Sequence, residues 1–88
     1  MSRILRVAAA QSGPIQKAES RQAVVKRLCD LLDQAHADGV NFVVFTELAL
    51  TTFFPRWYMT DPPEVDAWFE REMPSAATRP LFEKAAVY

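Results

Sequence analysis

Eighty-eight residues, 50% of them hydrophobic and 11% aromatic, suffice for one small domain and exclude a disordered tail. The net charge is −1 with ten scattered basic residues, which excludes the electrostatic footprint of a nucleic-acid binder. A single cysteine, Cys29, excludes an internal disulfide framework and a cysteine-based zinc cluster.

The opening, "MSRILRVAAAQSGP", is interrupted by Arg6 and is too polar for the apolar core of a signal peptide. No segment approaches the length of a membrane span, and a reduced, cytoplasmic setting is expected. Residues 4–11, "ILRVAAAQ", read as a strand with Leu5, Val7 and Ala9 on one face. Three consecutive alanines are weak strand formers, but their small size suits a central strand close to packed neighbours. Gly13-Pro14 then marks a turn.

From about Lys17 to Ala37 the period changes. Val24, Leu28, Leu31, Leu32 and Ala35 form one stripe of an α-helix, and Gly39 is placed to stop it in a left-handed conformation. Such a helix needs a sheet beneath it, because burying its few large apolar residues does not offset the entropy of ordering the segment. Residues 40–45, "VNFVVF", supply the second strand, and the near-continuous apolar run predicts burial on both faces. Strand, helix and strand make a βαβ unit of a parallel sheet, so the fold class is α/β.

Beyond the second strand stands Glu47, where ligand groups of open α/β sheets gather. It reads either as a surface or helix-capping acid or as a general base. For the second role, walls of Phe45, Leu48, Phe53 and Phe54 would desolvate the carboxylate and bring its pKa toward working pH. Phe53 and Phe54 are therefore candidate pocket residues. Cys29 lies mid-helix beside the apolar stripe and reads as filler rather than nucleophile. His36 suits the helix C-terminus, Trp57 and Trp68 read as core or interface, and Arg56 as a structural or solvated charge.

Further on, Asp61-Pro62-Pro63 reads as the start of a helix over Glu64–Glu72, with Val65, Trp68, Phe69 and Met73 as its stripe. "MPSAATRP" breaks it. Thr78 is the expected cap of a last helix from Arg79, carrying Leu81, Phe82, Ala85 and Ala86. Ten aromatics in so short a chain predict large rings at the surface, and with them a partner or missing chain.

The run "FTELALTTFFPRW", with "QSGPI", "EMP" and "RPLFEKAA", resembles the nitrilase superfamily of carbon–nitrogen hydrolases, closest to its N-carbamoyl-D-amino-acid amidohydrolase branch. The likeness spans essentially the whole chain. It implies that residues 1–88 are the N-terminal portion of a four-layer αββα sandwich, incomplete here, from a cofactor-free enzyme with a glutamate–lysine–cysteine triad. Glu47 matches the glutamate. In that role it takes the cysteine's proton for attack on the carbamoyl carbon, then activates the water that clears the carbamoyl-enzyme, giving carbon dioxide and ammonia after the amino acid leaves. The lysine would steady the oxyanion. Thr46 stands where the family commonly has proline, and Cys29 does not match the nucleophile's motif.

These features lead us to expect a small-molecule partner, an N-carbamoyl amino acid or amide, in a homo-oligomeric parent with no metal. The 88 residues alone are expected to be inactive and molten or oligomeric. Two rivals stand beside this reading: another amidase or β-ureido acid hydrolase of the same superfamily, and a small non-catalytic α/β binding module.

Overall fold

The structure, a computed structural model, describes residues 2–88. A helix, α1 (Arg21–Ala37), connects two four-residue strands, β1 (Val7–Ala10) and β2 (Phe42–Phe45), which pair in parallel. A 3-10 turn at Phe54–Arg56 and two helices, α2 (Pro62–Asp66) and α3 (Arg79–Val87), follow. The result is a small mixed α/β domain with a two-stranded parallel sheet.

Both ends of α1 are set by single residues. It begins at Arg21, later than its periodicity predicts, because Ser20 is extended and its Oγ accepts a hydrogen bond from the Ala23 N–H at 3.1 Å. It ends where Gly39 turns left-handed at φ +74. There the Gly39 N–H bonds the His36 carbonyl and the Val40 N–H bonds the Ala35 carbonyl, each at 3.0 Å, which closes a Schellman motif. The expected stop at Gly39 holds. Val24, Leu28 and Ala35 of the predicted stripe are buried, and Val25 and Cys29 widen it.

The strands run in register from Val7 opposite Phe42 to Ala10 opposite Phe45. Before the first pair, Asn41 grips Arg6: its Oδ1 accepts from the Arg6 N–H at 3.2 Å, and its own N–H donates to the Arg6 carbonyl at 2.8 Å. Burial alternates along both strands, as the two-residue period requires. Ala8, Ala10, Val43 and Phe45 are half-buried, whereas Val7, Ala9, Phe42 and Val44 are exposed. The two-sided burial predicted for "VNFVVF" is thus corrected. Val43 and Phe45 share a groove with α1 and α3, while Phe42 stays 55% and Val44 53% exposed. The accessible surface is 6679 Å², against roughly 5,200 Å² for a closed monomer of this mass.

Helix α3 packs against α1 and is preceded by a turn that Ser75 and Thr78 close reciprocally. The Ser75 N–H donates to Thr78 Oγ1 at 2.8 Å, and the Thr78 N–H donates to Ser75 Oγ at 3.2 Å. Thr78 is the N-cap residue of α3, as expected, and is fully buried, but its hydroxyl is held by Ser75 and makes no side-chain capping bond into the helix. At its other end α3 is tied to α1 by Lys84 Nζ, 2.9 Å from Asp33 Oδ1, and by the Tyr88 hydroxyl on the same oxygen.

The helix predicted over Glu64–Glu72 shrinks to the single turn of α2. Past it, tertiary contacts override the helical period: the Trp68 ring stacks on Phe54, Phe69 meets Phe54 edge-on, and Glu70 pairs with Arg21. Asp61 makes no side-chain capping bond. Among the described residues, no helix is long and apolar enough to cross a membrane.

Candidate functional site

At the carboxyl ends of the two strands the chain opens into a cavity of about 280 Å³. Glu47 lies two residues beyond the last residue of β2, and Ser12 two beyond the last residue of β1. Both line this cavity, with Gln11, Gly13, Thr46 and Phe53 among its other walls. The parallel register explains the meeting. Paired strands lie about 4.8 Å apart, so positions equally far past a registered pair leave the sheet side by side.

Next to Glu47, Leu48 sits at φ +51, a left-handed conformation costly for a residue with a branched side chain. Backbone strain of this kind persists where surrounding structure holds it, and it gathers at working sites. Here it turns the chain sharply just after the acid. Thr51 and Thr52 are buried below, with Thr51 Oγ1 donating to the Thr52 carbonyl at 2.8 Å.

The apolar enclosure expected around Glu47 is not assembled by the four residues named for it. Glu47 is solvent-exposed. Leu48 and Phe53 line its cavity, but Phe53 is itself 54% exposed. Phe45 faces the groove shared with α1 and α3, and Phe54 is engaged with Trp68 and Phe69. Phe53 therefore stays beside the acid and Phe54 does not. The physical reason is that stacking on Trp68 gives Phe54 apolar contact that the open strand end cannot offer.

Cys29 belongs elsewhere. It is buried in α1, lining a recess with Ala77 and Pro80 rather than the Glu47 cavity. Burial pushes its thiol pKa up, with the Lys84 charge acting against that. A thiol raised in this way carries little nucleophilic thiolate. His36 lies under the Tyr88 ring, and Trp57 carries Lys17 Nζ at 5.4 Å and the Arg56 guanidinium at 5.3 Å from its ring centroid.

Ser12 was not among the residues the sequence singled out. No signal in the sequence marked it, because the strand ends that set it level with Glu47 are fixed only in the structure. Its Oγ is closed off from solvent and, among the described residues, has no hydrogen-bond partner. No cluster of three or more His, Cys, Asp or Glu side chains that could hold a metal ion occurs among the described residues. No protein-family model matches the chain.

Proposed function

We propose that the chain contributes the general base, Glu47, of a carbon–nitrogen hydrolase that cleaves N-carbamoyl-D-amino acids, within a larger αββα sandwich. The observation that carries this is the position of Glu47: it lies two residues past the end of a parallel strand, lines a cavity formed at both strand ends, and precedes a left-handed Leu48. The resemblance of "FTELALTTFFPRW" to the nitrilase superfamily supports the same reading. Phe53 is an aromatic wall of that cavity. The nucleophilic cysteine and the oxyanion-steadying lysine come from polypeptide outside residues 1–88, since Cys29 is buried away from the acid.

The roles follow from charge and geometry. An ionised Glu47 accepts the thiol proton, and the thiolate attacks the carbamoyl carbon. The carbon–nitrogen bond to the amino acid then breaks as its nitrogen gains a proton. Water activated by the same carboxylate hydrolyses the carbamoyl thioester and regenerates the thiol. Glu47 is exposed in the chain alone, so the proposed site needs added polypeptide to close the cavity over it.

The test is turnover of N-carbamoyl-D-amino acids by the product of the whole reading frame, followed by ammonia release. Glu47→Gln keeps the shape, removes the base, and should lower kcat by roughly 10²–10⁴-fold. Undiminished turnover in that variant overturns the proposal. Preference for an aliphatic amide or a β-ureido acid in the same assay would keep the base and change the substrate.

A further inference from the structure

We infer that the Ser12 hydroxyl is a substrate-binding group of the Glu47 cavity, contacting the carbamoyl end of the ligand. The inference rests on the functional reading above and adds a residue that the resemblance does not assign. Three observations converge on Ser12. It leaves β1 at the position matching Glu47 on β2. It lines the same 280 Å³ cavity. Its Oγ is enclosed and, among the described residues, unpartnered.

An enclosed hydroxyl without a partner is costly, so the group gains when something offers it a hydrogen bond. Glu47 is at hand in the same cavity, yet it does not take that bond in the free chain. The missing partner is therefore better supplied by a ligand. A serine side chain has three staggered positions, so a hydroxyl enclosed in one of them can meet a ligand from another without moving the backbone. A hydroxyl both donates and accepts. A carbamoyl group offers a carbonyl oxygen to take the hydroxyl proton and an N–H to give one. This pairing holds the carbamoyl carbon beside Glu47, at the rim where attack must occur.

The experiment titrates the product of the whole reading frame with N-carbamoyl-D-alanine, as the protein with Ser12 (here the wild type) and as its Ser12→Ala and Ser12→Thr variants, each carrying Glu47→Gln to suppress turnover. Backbone amide shifts of residues 11–15 and 46–53 report binding, and thermal melting reports stability without ligand. We expect saturable shifts in the wild type and affinity weakened roughly 3- to 10-fold in Ser12→Ala, the loss of one neutral hydrogen bond. Ser12→Thr, which keeps the hydroxyl, should bind nearly as the wild type. Without ligand, Ser12→Ala should melt no lower than the wild type, because it removes an unsatisfied group. A lower melting point would show that the hydroxyl serves the fold and would overturn the inference. Unchanged affinity in Ser12→Ala would overturn it too while leaving the hydrolase reading intact. A wild type that shows no shifts with the ligand would overturn both.

Discussion

The Tyr88 ring lies flat on His36, with centroids 3.9 Å apart and planes 6° from parallel, while its hydroxyl donates to Asp33. One aromatic residue thus clamps two positions of α1 that are three apart, and Lys84 adds a second donor to the same carboxylate. The Tyr88 bond first, and then the Lys84 bond, hold the Asp33 carboxyl below its ordinary pKa. Asp33 in turn raises Lys84 and Tyr88.

The consequence is a stability plateau with two edges. A depressed Asp33 contributes stability that is present above its unfolded pKa, about 4, and lost as pH falls through the lower folded value. Raised Lys84 and Tyr88 contribute stability that is present below about pH 10 and lost as pH rises through their folded values. All three groups reach solvent, so both edges should be shallow and weaken with salt. Melting curves from pH 2 to 11 should show this plateau, and Asp33→Asn should lower it and flatten both edges. An Asp33→Asn profile parallel to the wild type would remove the clamp from the stability of α3.

The open face of the sheet should drive self-association. Val7, Phe42 and Val44 present a contiguous apolar surface on a chain that already exposes more area than a closed monomer. Phe42→Lys combined with Val44→Glu should bring the mass measured by light scattering down to 10.0 kDa while the helical circular dichroism persists. A wild type that is monomeric at every concentration, with a sharp thermal transition, would refute this.

At Leu48 the usual order of glycine and alanine should invert. Elsewhere alanine is the more stable of the two, but at φ +51 a Cβ is the burden. Leu48→Gly should exceed Leu48→Ala in stability by about 1 kcal/mol, measured by urea unfolding. The reverse order would mean that the turn after Glu47 is unstrained.

Cys29 should prove dispensable for turnover. Under the proposed hydrolase activity, Cys29→Ala should leave kcat of the whole protein unchanged, with a stability cost of about 1 kcal/mol. The wild-type thiol should react slowly with Ellman's reagent until denaturant is added, as burial and a raised pKa require. Loss of turnover in Cys29→Ala would reinstate it as a nucleophile.

What the sequence carried well was local and periodic. The Val24–Leu28 stripe, the Gly39 stop and the parallel strand pair follow from side-chain spacing and from one residue that tolerates positive φ. Hydrogen-bonded ends were harder, although their letters were present: Ser20 stands three before Ala23, and Ser75 three before Thr78. Contacts from distant segments were hidden altogether. Nothing near Phe54 announces that Trp68 will claim it, and nothing near Glu70 announces Arg21, so α2 is short and one pocket wall is missing. The site was half readable. Glu47 stands out as a charge after an apolar run, whereas Ser12 gains meaning only once the register sets it beside that acid.

That register is fixed at the far end of the sheet. Asn41 grasps Arg6 through both its backbone and its side chain, six positions and about 20 Å of extended chain before Glu47. A slip of one step there would pass undiminished along both strands, turning alternate side chains over and delivering the acid opposite the wrong neighbour. Removing the Asn41 amide oxygen should thus disturb the Glu47 cavity, a place it never touches.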